Sequence, residues 1–409
     1  MTAPPQPAGT VRTIVVGGTT SVLGAIPAFL VGSLAVFIRE ELVFDQAQLG
    51  LAVGAFFLAS ALASIPGGRL TERVGARRAL LGSGAVTGVA MLGVATLARS
   101  WTILVLWLMI AGAANGIAQP AGNLALARGV QGDRKALAFG IKQASIPAAT
   151  LLSGAAVPLI GLTVGWRWAF AVGAAGALVV ALIMPKDPYL SPIVGKGRAL
   201  RQGDAPVLPL AVLALAATCG AAAGTSLASF YVESAVTMGF GAGVAGAMLV
   251  IGSLSGIASR LVLGWFADRR ARGHLMMVTV VLAFGAIGFA GMAMTSALSN
   301  LLLPATILAF AAGWGWPGLF NFTVVKLNPK APAAASAITQ TGVFAGGVLG
   351  PAVFGAVAQN VSFEAAWLMA ATLNLLGAGC VVLGRHLLRA HRLREEARSQ
   401  AVGPADDFE

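Results

Sequence analysis

The chain has 409 residues, of which 57% are hydrophobic and 10% are charged, and its formal net charge is +12. A soluble domain carries about 25% charged residues, so a mean hydropathy of +0.84 indicates a surface that faces lipid. This composition excludes soluble enzymes as a class. The sequence shows no metal-ligand cluster, phosphate loop or nucleophile–base set, so we predict no enzymatic activity, no cofactor and no metal.

Twelve apolar runs are long enough to cross a bilayer, which requires roughly 20 helical residues. We therefore predict an all-α membrane protein. The predicted spans are 13–37, 49–69, 79–98, 101–124, 136–160, 166–185, 207–232, 242–264, 274–295, 300–325, 333–358 and 364–384. The polar segment 186–206 divides them into two sets of six. The predicted units are a tail at 1–12, a six-helix bundle at 13–185, the central loop at 186–206, a second bundle at 207–384 and a tail at 385–409.

Lysine and arginine are distributed unevenly between the two ends of these spans. Arg39, Arg99 and Arg167 fall at one end, Lys142 and Arg260 fall within spans, and the remaining basic residues fall at the opposite end. Basic loops remain on the cytoplasmic side of a membrane. The pattern therefore predicts that both termini are cytoplasmic, and it explains the net charge without a nucleic-acid partner.

One loop pattern occurs twice, half a chain apart, which is typical of an internal repeat. Residues 64–78 read SIPGGRLTERVGARR and residues 259–273 read SRLVLGWFADRRARG. At a constant separation along the chain, the pattern pairs Gly68 with Gly264, Glu72 with Asp268, and Arg73 with Arg269. We expect the glycines to admit close helix packing, the carboxylates to cap the helices that follow, and the arginines to stay at the cytoplasmic surface.

This repeated Gly-x-x-x-acid-Arg loop resembles the loops after the second and eighth helices of the major facilitator superfamily. The resemblance implies two pseudo-symmetric six-helix bundles that transport by alternating access. It also implies that the two loops form a gate that holds the outward-open state. Glu72 stands where the family usually has Asp, and a role as a topology anchor alone is the alternative.

Two cations lie within predicted spans, where an ionisable side chain is costly and marks a functional hypothesis. Lys142 lies in the fifth span and Arg260 in the eighth, and no mid-span Asp or Glu is available to neutralise them. An anionic substrate is the simplest partner, because Arg grips a carboxylate through two hydrogen bonds. The alternative for each is that the side chain extends to the membrane surface. The arginine also resembles the eighth-helix arginine that holds the substrate carboxylate in the oxalate and monocarboxylate transporters, although the second cation there differs.

Polar and aromatic residues in other spans are further candidates for substrate contact. In the fourth span, amides recur every four residues and so share one helix face. The tenth span reads GWGWPGLFN, in which Pro317 and the glycines predict a break. The alternative for all of these residues is a structural role, in packing or in a hydrogen bond at the seam between helices. The candidates are Asn115, Gln119, Asn123, Gln143, Trp314, Trp316, Asn321 and Gln340, with Tyr231 as a gate residue at the outer end of the seventh span.

We predict a secondary active transporter in the inner membrane of a bacterium, acting as a monomer on a small organic anion. A coupling proton or a counter-substrate is a further partner. Proton coupling requires a titrating group on the pathway, and Glu233 is the best candidate. The alternatives are efflux of a drug or hydrophobic metabolite, with an aromatic lining from the tenth span, and a non-transporting membrane sensor or scaffold.

Overall fold

A computed structural model describes residues 10–129, 135–184, 206–270, 273–329 and 331–401. These residues are almost entirely helical and include no strand, which confirms the all-α prediction. Within this part of the chain, twelve segments are long and apolar enough to cross a membrane. The helices are α1 Thr10–Ser33, α2 Ala35–Leu42, α3 Gln46–Val74, α4 Ala76–Leu97, α5 Trp101–Gly129, α6 Lys135–Ala156, α7 Trp166–Ile183, α8 Val207–Thr237, α9 Ala242–Arg269, α10 His274–Ala293, α11 Leu302–Leu308, α12 Pro317–Leu327, α13 Pro332–Asn360 and α14 Phe363–Ala401.

The predicted spans differ from these helices at both ends of the chain. The first span ends at Ser33 and is followed by the short helix α2, which the sequence pattern did not separate. The last helix continues through the predicted boundary at 384 to Ala401, and Arg392 donates to the carbonyl of Leu327. Of the predicted tails and central loop, residues 1–9, 185–205 and 402–409 lie outside the described part of the chain.

The two six-helix halves meet along three helix pairs, α1 with α8, α3 with α13 and α6 with α9. Glycines make these contacts close. A Cβ on Gly50 would lie 2.1 Å from the carbonyl oxygen of Pro351, and one on Gly32 would lie 2.5 Å from the Cα of Ser229. Such close backbone contact stabilises helix association where lipid provides no hydrophobic drive.

These contacts define two ends of the molecule. At the closed end, Arg39 pairs with Glu233, and the backbone N–H of Gln46 donates to Oε1 of Gln359 at 3.2 Å. At the opposite end, here called the basic end, lie the two repeated loops. The close approaches between α3 and α13 fall at Gly50, Gly54 and Phe57, all in the part of α3 that is nearest the closed end. The seam between α3 and α13 is therefore tightest at the closed end.

The repeated loops depart from two of the expectations drawn from the sequence. A Cβ on Gly68 or Gly264 would meet no atom within 4 Å, so the predicted close packing is wrong in this conformation. Gly67 has that role, since its Cβ would lie 2.9 Å from the Cα of Ile117.

The helix cap predicted from Glu72 is also absent, whereas the one predicted from Asp268 lies outside the described side chains. Glu72 lies exposed in the last turn of α3, and the residue that precedes α4 is Gly75, which provides no side-chain cap. Before α10 the corresponding residue is Gly273, again without a side-chain cap, and the side chain of Asp268 lies outside the described part of the structure. The arginines of both loops, Arg73 and Arg269, are exposed as expected, and the guanidinium of Arg269 lies 3.7 Å from the ring centroid of Trp265.

The tenth span is broken, as its Pro and Gly content predicted. It consists of α11, a π-helical turn at Ala309–Gly313, a non-helical turn at 314–316, and α12, which begins at Pro317. Proline has no N–H to continue the hydrogen-bond ladder. The break leaves main-chain carbonyls near the middle of the span that need partners from neighbouring helices.

Candidate functional site

Arg260 lies at the seam between the halves and is 5% exposed. Its Nη1 donates to the carbonyl of Gln143 on α6 at 2.5 Å, and its Nη2 donates to the carbonyl of Trp314 at 2.8 Å. The guanidinium also lies 5.5 Å from the Trp314 ring centroid. Arg260 thus joins α9 to the other half and satisfies a carbonyl at the break, while its Nε has no hydrogen-bond partner among the described residues.

Lys142 is 6% exposed and lies on α6 next to the residue that Arg260 contacts. Its Nζ donates to Oδ1 of Asn123 at 2.5 Å and to Oε1 of Gln119 at 3.0 Å. The network continues through Asn115, whose Oδ1 accepts from Gln119 at 3.2 Å and whose Nδ2 donates to Ser60 at 2.9 Å. The predicted amide stripe therefore forms a single polar network around this ammonium.

Neither cation extends to the membrane surface, which was the alternative that the sequence left open. Their partners among the described residues are neutral oxygens, whereas the ion pairs that described side chains form include Arg39 with Glu233 and Arg167 with Glu41. The structure thus places two buried positive charges on the packed helices α9 and α6, and neither pairs with a carboxylate among the described side chains. Asn115 is buried, Gln119 is half-buried and Asn123 is exposed, so exposure of this stripe increases towards the basic end.

Three further amides remain free to bind a ligand. The side chains of Gln143, Asn321 and Gln340 are partly exposed and make no hydrogen bond to any residue that the structure describes. Gln143 lies beside α12, because a Cβ on Gly318 would be 3.9 Å from its Cβ. These amides stay candidates for substrate contact.

The aromatic candidates are buried in packing. Trp316 is 1% exposed and covers Gly220, and Trp314 is 5% exposed and lies against Gly224. The phenol of Tyr231 is fully buried and hydrogen-bonded to the hydroxyl of Thr306 at 2.6 Å. The lining that an efflux site would need from the tenth span is therefore turned into the protein in this conformation.

Two serines complete the site, and they were not identified from the sequence. Ser255 donates to the carbonyl of Ile307 at 3.1 Å, and Ser259 donates to the carbonyl of Ala311. Together with Arg260 they satisfy carbonyls at and next to the π-helical turn. The available signal was two serines four residues apart on the helix that carries Arg260, opposite a span broken by proline.

A second polar cluster joins the halves at the closed end. Arg39 on α2 donates through Nη1 to Oε1 of Glu233 on α8, and its Nε donates to the carbonyl of Phe44 at 2.7 Å. Glu233 is 3% exposed, and its Oε2 has no partner among the described residues. Arg39 was not recognised as the partner. The two residues are 194 positions apart, close to the period of the internal repeat, and this was the available signal.

These features define a multi-pass membrane protein of two six-helix bundles with charged residues at the seam. Residues 17–322 match the family model of the Major Facilitator Superfamily, and the chain belongs to that superfamily. A relative from Agrobacterium vitis, assigned by name as a tartrate transporter, is 23% identical over 85% of this chain and 84% of its own length. Human Monocarboxylate transporter 11 is 26% identical over 60% of this chain and 55% of its own.

Solved structures show the same fold. A bacterial homologue of the human lysosomal transporter Spinster, crystallised in an inward-facing and occupied conformation, aligns with a TM-score of 0.73 at 16% identity. The alignment covers 91% of this chain and 96% of that one. The same homologue in its unoccupied conformation aligns with a TM-score of 0.67.

Proposed function

We propose that this protein transports a small organic anion with a carboxylate group by alternating access. The observation that carries the proposal is the pair of buried cations, Arg260 and Lys142, whose partners among the described residues are all neutral oxygens. Buried charges in proteins are normally paired. A carboxylate that entered between the halves would supply the missing negative charge and could accept two parallel hydrogen bonds from the guanidinium.

The relatives point to the same class of substrate. One is named for tartrate and the other for monocarboxylates, and both substrates carry carboxylate groups. Arg260, Lys142 and the amides Gln119 and Asn123 would bind the anion, and Gln143, Asn321 and Gln340 are further contacts.

The distribution of charge supports an orientation in a bacterial inner membrane. The positive-inside rule places the basic end and both termini in the cytoplasm. The closed end would then face outwards, and the stripe from Asn115 to Asn123 would open towards the cytoplasm. The described conformation would therefore be inward-facing.

The test is ligand-induced thermal stabilisation of the purified protein, measured with small carboxylates, neutral compounds and cationic drugs. We expect a carboxylate to stabilise the wild type and Lys326→Gln, which removes an exposed cation of the second half. The same compound should fail to stabilise Arg260→Gln and should act more weakly on Lys142→Gln. Stabilisation by neutral or cationic compounds alone, equal in all four proteins, would contradict the proposal.

Transport itself requires a separate measurement. Proteoliposomes preloaded with the stabilising carboxylate should accumulate the labelled compound by counterflow. Binding without counterflow in the wild type would instead favour a sensor or scaffold with this fold.

A further inference from the structure

The ion pair at the closed end joins the two halves at the place that has to separate if this end opens. Arg39 belongs to the first half and Glu233 to the second. Val43, at the end of α2, has a φ of 49°, which is costly for a β-branched residue. This turn brings the Phe44 carbonyl to Nε of Arg39 and so fixes the guanidinium. Strained backbone of this kind is concentrated at functional positions.

A cleft at the protein surface lies over the pair. Its lining includes both Arg39 and Glu233, together with Phe44, Gln48 and Thr237. The carboxylate, although 3% exposed, therefore borders a solvent-facing cleft on the closed side. Its Oε2 has no hydrogen-bond partner among the described residues, so one oxygen of the pair is available to receive a proton.

Few other charged groups face Glu233. Glu40 and Asp45 line the same cleft. On α14, Glu364 lies one turn from Trp367, whose indole donates to Ser234, but Glu364 is itself bonded to Ser362 and Ser296. The charged residues of α1 and α3 lie towards the basic end, those of α9 lie between the central Arg260 and the basic end, and α13 contains none. Arg39 is therefore the cation that holds the charge on Glu233.

Opening of the closed end would move α2 and α3 away from α8 and α13 and would break this pair. A buried carboxylate that loses its partner costs several kcal/mol. Protonation removes that cost, because a neutral carboxylic acid tolerates an apolar surrounding far better than its anion does. Arg39 can stay charged, since it is already about a quarter exposed at the cleft.

We propose that Glu233 is a proton-binding site and that Arg39 and Glu233 together form a pH-dependent latch on the closed end. A proton from the solvent on that side binds to a carboxylate oxygen of Glu233, the ion pair is lost, and the guanidinium becomes hydrated. The halves then separate at this end. Loss of the proton re-forms the pair and closes the end. The inference relies on the proposed alternating movement but not on the identity of the substrate.

Electron–electron distance measurements on the full chain test the latch without any substrate. Spin labels are attached at Arg99→Cys and Ser299→Cys, exposed residues on opposite halves at the closed end, after Cys219 and Cys380 are replaced by serine. We expect the fraction of long distances to rise as the pH is lowered from 8 to 5. Because one proton is taken up, the ratio of the open to the closed population can change by at most about tenfold per pH unit.

Three variants decide the outcome. Glu233→Gln should show a high long-distance fraction at every pH. Glu40→Gln, which removes a carboxyl group from the same cleft, should respond as the wild type does. If Glu233→Gln does not fold, the neutral double variant Arg39→Gln, Glu233→Gln leaves no unpaired buried charge and should also be independent of pH. A wild-type pH response in either Glu233 variant would overturn the proposal.

The same measurement separates this proposal from the anion site. Arg260→Gln should keep the wild-type pH response even though it no longer binds the carboxylate. If no carboxylate binds to any variant but the latch responds to pH, the anion proposal fails and the latch proposal survives. If carboxylates bind and the distances stay the same from pH 8 to 5, the latch proposal fails alone.

Discussion

The two polar clusters at the seam differ in charge balance. At the closed end one guanidinium meets one carboxylate, whereas in the centre two cations meet only carbonyl and amide oxygens. Both clusters join the first half to the second. In the Arg39–Glu233 pair the two opposite charges neutralise each other, so the pair stabilises the contact between the halves. The central cluster has no negatively charged partner among the described side chains, and a ligand can supply that charge.

The largest effect is expected when the central cluster is given its own carboxylate. Asn123→Asp is nearly isosteric and places a negative charge at the atom that lies 2.5 Å from Nζ of Lys142. The new ion pair should weaken binding of an anionic substrate by about 10- to 100-fold, because like charges in a shared site cost several kcal/mol. Ligand titration followed by thermal unfolding measures the change.

A matched control makes the same chemical change away from the cations. Asn360→Asp lies in an exposed position at the closed end, where Asn360 donates to the carbonyl of Ala356. Its affinity for the anion should equal that of the wild type. An Asn123→Asp protein that binds the carboxylate as tightly as this control would show that Lys142 does not contribute to the site.

The second prediction concerns removal of the cation from the Arg39–Glu233 pair. Arg39→Met leaves Glu233 buried without a partner and should lower the stability by about 2 kcal/mol, less than for a fully buried pair because Arg39 is partly exposed. Adding Glu233→Gln removes the unpaired charge and should restore most of the loss. Unfolding midpoints of the wild type, the two single variants and the double variant form a cycle that measures the coupling.

A control variant shows whether the loss of stability is specific to the Arg39–Glu233 pair. Arg99→Met removes an exposed arginine at the same end and should change the midpoint little. Additive effects of Arg39→Met and Glu233→Gln would mean that the two side chains do not interact in the folded protein.

The sequence predicted more of the fold than of the site, and the reason is physical. Lipid requires every spanning segment to be a long apolar helix, so the number of spans and the break at Pro317 are visible in residue order alone. The central cations were visible for the same reason, because a charge within an apolar run stands out. Their partners were not, since a main-chain carbonyl such as that of Trp314 leaves no mark in the sequence.

The errors in the loops have a related cause. A Gly-x-x-x-acid-Arg pattern identifies the loop but not which residue meets a neighbouring helix, and Gly67 instead of Gly68 faces α5. Arg39 was assigned to an outer loop because charge near a span end is normally solvated. Its half-buried position against Glu233 depends on the contact between the two halves, which the order of residues along a single helix does not specify.

The third prediction concerns the ring that lies against Arg260. Trp314→Phe keeps the main-chain carbonyl that accepts from the guanidinium but reduces the cation–π attraction. Anion affinity should fall by only about two- to fivefold, which corresponds to 0.5–1 kcal/mol. Trp316→Phe is the control, because that indole packs on Gly220 and its Nε1 has no partner in the described structure. Equal losses in both variants would indicate general loosening of the broken span.

The smallest effect is expected from an ion pair that lies within one half. Glu41 on α2 accepts from Arg167 and Trp166 on α7, each at 2.7 Å, and the hydrogen bond from Arg167 lowers the pKa of this carboxyl below its ordinary value. The pair therefore stabilises the folded protein above the ordinary pKa of Glu, and its contribution is lost as the pH falls through the lowered value. Because the carboxylate is about half exposed, Glu41→Gln should cost less than about 1 kcal/mol of stability.

Since both partners belong to the first half, Glu41→Gln should show the same distances between labels at positions 99 and 299 as the wild type does at each pH. A pH response altered as strongly as in Glu233→Gln would mean that closure does not depend on whether an ion pair crosses the seam.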